Sequence, residues 1–211
     1  MPVPSDLVSE TAGVTLGLRE RNKLRTRQEI ADATLRLATE RGFENVTVEQ
    51  IATAADIAPR TFFRYFESKE DALLADHTDR LALLRQTLRD RPASEGPLTA
   101  VRASIMEVVG DLEDNRDLML CKIQLMENSP TLHAQSLEKM AELERMIAEA
   151  LAERSGVDLD RDYRPFVIAA AVCSAMRVAI DRWGATGGDG NLTEMVERAL
   201  DLLDGGLDQS I

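Results

Sequence analysis

Apolar residues near the start of the chain recur at helical spacing. From about Leu18, Ile30, Ala33, Thr34, Leu37 and Ala38 share one face, and Gly42 supplies a C-terminal cap. Thr47-Val-Glu-Gln50 carries a hydroxyl at the cap and a glutamine three residues on. That is a capping box, and it starts a second helix with Val48, Ile51 and Ala52 inward. A break at Ala55 and Asp56 precedes a short third helix from about Ala58 to Phe63, with Pro59 tolerated in its first turn. Ser68-Lys-Glu-Asp71 opens a fourth, whose stripe includes Leu73, Leu74, Leu81 and Leu84.

Arg91–Pro97 is punctuation. Beyond it the pattern predicts helices at about 98–112, 116–127, 131–154, 162–183 and 192–204. Ser129-Pro130, Gly156 and the loop Gly184–Gly190 separate them. No segment reads as a strand. Residues 1–17, with Pro2 and Pro4 and no period, read as a flexible N-terminal arm. The expected architecture is all-α: a three-helix unit over 18–67, then a larger helical domain over 68–211.

Composition agrees with this. Aromatics are only 4% of 211 residues, so the apolar mass is aliphatic and suits helices packed on helices. The net charge of −12 argues against a generally basic nucleic-acid binder, but the charge is uneven. Ten Lys/Arg and nine acids make residues 19–70 about +1, which leaves −11 for residues 71–211. Cys121 and Cys173 have no paired spacing and read as reduced thiols. The N-terminus lacks a signal pattern, and the longest apolar run, Phe166–Met176, is too short to span a bilayer, so a cytoplasmic chain without membrane association is expected.

A short helix joined by a tight turn to the one before it is the arrangement of a helix-turn-helix. Arg60 and Thr61 stand at the start of the third helix, where short polar or basic side chains reach base edges in a major groove. Tyr65, Lys69 and the helix start at Thr47 are placed to hold phosphates, which position without reading sequence. Phe62 and Phe66 seal a small core. Arg19, Arg21, Lys23, Arg25 and Arg27 form either a solvated face or further phosphate and minor-groove contacts.

The stretch from Thr47 to Leu73, with the preceding helix ending Glu40-Arg-Gly-Phe43, resembles the DNA-binding segment of the TetR family of bacterial repressors over roughly residues 20–75. The resemblance implies that Thr47 contacts phosphate, that Pro59, Arg60 and Thr61 form the base-reading stretch, and that Tyr65 and Lys69 clamp the backbone. Phe63 departs from the family's usual tyrosine, so its phosphate contact is lost or passes to Arg64. The resemblance further implies a DNA-binding domain followed by a ligand-binding and dimerisation domain. It implies a homodimer built from the last two helices, a near-palindromic double-stranded DNA operator, and a small-molecule effector that releases it.

The second half carries no ligand-specific pattern. Ala169–Ala175 is rich in small residues, and Leu192, Met195, Val196, Ala199, Leu202 and Leu203 give the last helix an apolar face. Met106, Met119, Met126, Met146, Met176 and Trp183 are candidate pocket residues or ordinary core. Arg177, after an apolar run, calls for Asp181, a carboxylate across the dimer, or an acidic ligand. An apolar or amphipathic effector is expected. His77 and His133 share no metal-ligand spacing, and no phosphate loop or cofactor motif is present, so no metal site and no cofactor are expected. No paired acids or nucleophile–base set points to an enzyme. An activator of the same family and a helical protein–protein adaptor remain the alternatives.

Overall fold

The computed structural model describes residues 17–204, and the expected arm therefore lies outside them, Gly17 apart. Among the described residues the chain forms α1 (Leu18–Arg41), a 3-10 turn (Phe43–Asn45), α2 (Val48–Ala54), α3 (Pro59–Phe62), α4 (Lys69–Leu73) and α5 (Asp76–Asp90). Then follow α6 (Pro97–Asp114), α7 (Arg116–Glu127), α8 (Pro130–Ser155), α9 (Arg164–Ala185) and α10 (Leu192–Asp204). No strand occurs among them, so the all-α expectation holds.

The helix boundaries have local causes. Gly42 ends α1 at φ +79°, a conformation that costs a residue with a Cβ. Ser129 accepts a hydrogen bond from Leu132 N–H at 3.2 Å and caps α8, with Pro130 in the first turn. Gly156 closes the same helix in the left-handed region at φ +64°.

Two cores form. In the head, Ile30, Leu37, Val46, Ile51, Phe62 and Phe66 are buried together with Ala72 and Ala75. In the body, α8 and α9 pack along each other and α10 lies against α9 and α6. Ile105, Ile147, Leu151, Val172, Cys173 and Trp183 lie within that core. A third, smaller cluster of Ala38, Phe43, Leu73 and Leu132 joins the two.

The fourth predicted helix is two helices. α4 stops at Leu73, Leu74 takes φ −96° and ψ 25°, and α5 starts at Asp76. Ala72 and Ala75 belong to the head core, whereas Leu84 and Leu88 belong to the body core. One straight stripe cannot face both, and the break redirects it. Arg27 of α1 seals the break by donating from Nη2 to the Ala75 carbonyl at 2.7 Å.

Phe62 has no exposed surface, with its ring 5.4 Å from that of Phe63 and 5.9 Å from that of Phe66. Phe62→Ala is expected to destabilise the protein by about 3–5 kcal/mol, measured as a lowered denaturant midpoint.

Candidate nucleic-acid interface and ligand cavity

Thr47 caps α2 with both bonds of a capping box: Gln50 N–H donates to its hydroxyl at 3.3 Å, and its own N–H donates to Gln50 Oε1 at 3.0 Å. The hydroxyl oxygen accepts in this geometry, so its proton is left to donate outward. The turn to α3 passes through Asp56 at φ +54°, a left-handed residue that aspartate tolerates better than most. Ile57 N–H closes the turn on the Ala52 carbonyl at 2.9 Å. Pro59 then starts α3 and leaves Arg60 exposed, with Thr61 half-buried beside it. Phe62 points down into the core and fixes the rotation of this one-turn helix.

Beside α3, Arg64 donates from Nη2 to the Tyr65 hydroxyl at 3.2 Å, and its guanidinium lies 5.1 Å from the Tyr65 ring centroid. These two residues and Leu18, Arg19, Asn22, Lys23 and Thr26 of α1 line one open groove. Arg19 and Lys23 therefore join the α3 end of the head. Arg25 and Arg27 do not: Arg25 pairs with Glu29 at 3.5 Å, and Arg27 turns into the head–body joint. Phe63, the chain neighbour of Arg64, is exposed at 59%.

Lys69 is already engaged. Its Nζ donates to the carbonyls of Phe43 at 3.0 Å and Val46 at 2.9 Å, and lies 4.4 Å from the Phe43 ring centroid. It staples the turn ahead of Thr47 to the start of α4. An ammonium has three protons, so one remains beyond these two bonds.

The body encloses a cavity of about 170 Å³ between α5, α6, α7, α8 and α9. Its wall is apolar: Leu81, Leu84, Ile105, Val108, Leu112 and Leu143, with Met119, Met126, Met140 and Met176. Three of the methionines singled out in the sequence thus come together there. Met106 packs against the body core away from the lining, and buried Trp183 donates from Nε1 to the Gly190 carbonyl at 3.3 Å. Arg177 pairs with Asp181 at 3.2 Å, and both border an adjoining cleft of about 380 Å³ with Met119, Met126 and Ile180.

Sequence reasoning missed the charged end of the cavity. Asp76, His77, Arg80, Lys122 and Lys139 line it. Lys122 is only 7% exposed and donates to Asp76 Oδ1 at 2.7 Å, and Arg80 pairs with the same carboxylate. Burial raises the Asp76 pKa, but Lys122 and Arg80 outweigh it and hold the carboxyl below its ordinary value. Burial, then Lys139 and Arg80, lower that of His77 against the pull of Glu142 and Asp76. The available signal was a lone lysine within the run Met119-Leu-Cys-Lys-Ile123. Cys173, by contrast, is pushed up to about 12 by burial and Glu144, and is an unreactive thiol.

A capped two-helix reading head on a helical body with an apolar cavity defines the class: a DNA-binding regulator with a ligand-sensing domain. Residues 30–75 match the model described as "Bacterial regulatory proteins, tetR family", and residues 95–208 match that of the MftR C-terminal domain. The HTH-type transcriptional regulator TcmR of Streptomyces glaucescens is 38% identical over 173 residues, covering 79% of this chain and 76% of TcmR. The regulator MftR of Mycobacterium tuberculosis is 29% identical over 189 residues, covering 90% of this chain and 94% of MftR. The crystal structure of Thermus thermophilus FadR, a TetR-family transcriptional repressor in complex with lauroyl-CoA, aligns with a TM-score of 0.60 at 28% identity, covering 88% of this chain and 97% of that one. The chain belongs to the TetR family of bacterial regulators and is a transcriptional regulator. No described helix is long and apolar enough to cross a membrane.

The lowered pKa of His77 has a consequence for stability. The unfolded chain takes up a proton near the ordinary value of 6.5, while the folded chain resists it until lower pH. In that window the unfolded state binds more protons, so stability falls as pH falls. His77→Gln is expected to flatten the loss of denaturation free energy as pH falls below about 6.5.

Proposed function

We propose that the protein represses transcription as a homodimer on a near-palindromic operator, with Pro59, Arg60 and Thr61 at base edges and Thr47, Arg64, Tyr65 and Lys69 on phosphates. The observation that carries this is the exposed start of α3, set by Pro59 and Phe62 beside a capped α2. Arg60 can make two hydrogen bonds to guanine there, and Thr61 can pack its methyl on thymine. The groove shared by Arg19, Lys23, Arg64 and Tyr65 supports a phosphate track beside it. Arg64 takes over from the missing phenol of Phe63, since its guanidinium is exposed next to it.

Dimerisation runs through α9 and α10. Val167, Ala171, Ser174 and Val178 follow one face of α9 at spacings of three and four, and Val167 and Val178 are 55% and 56% exposed. Leu202 on α10 is 50% exposed. Such faces on two helices per subunit support an isologous four-helix contact. The effector enters the body cavity, lies against Met119, Met126 and Met176, and lowers operator affinity. The acyl chain in the FadR complex named above supports an elongated apolar ligand.

The test is selection of random duplex DNA by the full-length protein, followed by binding across a salt series. A palindromic motif with steep salt dependence is expected. Arg60→Ala is expected to cost about 1–3 kcal/mol and relax specificity at one position per half-site, while Lys23→Ala lowers the salt slope by about one without changing the motif. Absence of any enriched motif sinks the reading. Val178→Glu is expected to yield monomers in sedimentation velocity, because it buries a carboxylate in the apolar contact.

A further inference from the structure

Within its lining the cavity carries more cations than carboxylates. Arg80, Lys122 and Lys139 line it against a single lining carboxylate, that of Asp76. That carboxylate serves two cations: Oδ1 accepts from Lys122 Nζ at 2.7 Å, and Oδ2 pairs with Arg80. The buried Nε of Arg80 has no hydrogen-bond acceptor, and beside it Asp76 Oδ2, though ion-paired with Arg80, and His77 Nε2 make no hydrogen bond. Lys139 meets Asp71 at 3.6 Å and Glu142 at 3.3 Å, but neither acid is part of the lining. A buried donor without an acceptor is costly, and a buried cation more so. A second anionic group in the cavity would complete this set.

We infer that the effector is an anionic amphiphile whose carboxylate, or comparable acidic group, binds Lys122 and Arg80 in competition with Asp76, while its apolar part lies among the methionines. The inference rests on the proposed role of this cavity as the effector site. A cationic head would meet Lys122 and Arg80, which share the one carboxylate of Asp76, and a neutral one would leave the Nε donor of Arg80 without a charged acceptor.

The position of Asp76 links this competition to DNA binding. It is the first residue of α5 and follows Ala75, whose side chain lies in the head core and whose carbonyl Arg27 holds. Arg27 also meets Asp79, one turn into α5, at 3.4 Å. An acid that draws Lys122 and Arg80 away from Asp76 loosens the body's grip on the residue next to the head.

Calorimetry of the full-length protein with decanoate, 1-decanol and decyltrimethylammonium, matched in chain and different in charge, tests this. Decanoate is expected to bind at least tenfold more tightly than either, roughly the weight of one charge-assisted hydrogen bond. Lys122→Met and Arg80→Gln are each expected to weaken decanoate about tenfold and leave decanol unchanged, and the retained decanol binding separates this from misfolding. Asp76→Asn removes the competing charge and is expected to tighten decanoate, a gain that damage to the fold cannot produce. Decanol or the ammonium binding as tightly as decanoate, or Lys122→Met leaving decanoate unaffected, overturns the anionic assignment and leaves the cavity as effector site. No binding by any of the three overturns the cavity's role itself, and the inference falls with it.

Discussion

Lys122 places an ammonium at 7% exposure in a stretch of α7 that is otherwise apolar on its inner side, and much of the molecule is arranged around its partner. A charge so far from water needs a counter-charge in contact. Asp76, the first residue of α5, supplies it. An acid in the first turn of α5 is also favoured by the helix dipole. The Lys122–Asp76 pair therefore pins α7 to the start of α5, and α5 in turn leads back through Ala75 to the head.

That pinning is what makes two cores behave as connected parts. The head core, centred on Ile30, Ile51 and Phe62, is small, and α3 is a single turn that could not hold its shape alone. Lys69 ties the turn before α2 to α4, and Arg27 ties α1 to the end of the break. Across the joint, Ser129 donates to Glu44, and Thr39 and Cys121 share a hydrogen bond at 3.1 Å. The cluster of Ala38, Phe43, Leu73 and Leu132 fills the space between. Met126 packs against both this cluster and the body core, and also lines the cavity. Contact between sensing and reading surfaces thus needs few intermediates.

The head was legible because its signals are local. A capping box spans four residues, a proline starts α3, and Gly42 stops α1, so each can be read without knowing the rest of the chain. The break at Leu74 was not legible, because its cause is that Ala75 and Leu84 serve different cores and that Arg27, 48 residues earlier, takes the Ala75 carbonyl. The ligand cavity was half legible. Met119, Met126 and Met176 line it, while Met106 and Trp183 do not, and nothing in their periodicity separates lining from core. Lys122 and Asp76 lie 46 positions apart, so their pairing exists only after folding. Arg177 drew attention as a cation after an apolar run, yet a helix turn away Asp181 answers it at the surface.

Cavity size carries the last step of the argument. Occupied ligand sites hold about 300–1,000 Å³. The cavity here has about 170 Å³, and an adjoining cleft of about 380 Å³ shares Met119, Met126, Ser136, Met140 and Ile180 with it, so an effector of ordinary size either spans both or moves the walls. Close-packed interiors yield where the packing is thinnest. On α8 the residues that line the cavity, Ser136, Lys139, Met140 and Leu143, are half-buried, and Ile147, Ala148 and Leu151 further along are almost fully buried. The α5 wall has only Leu84 and Leu88 buried, and its outer face carries exposed ion pairs such as Arg85–Glu149 and Arg89–Glu153. Surface pairs of this kind resist displacement weakly. Room is made among half-buried residues of α5 and α8, and the share taken by α5, the helix that begins at Asp76, arrives at the same joint that holds the reading head.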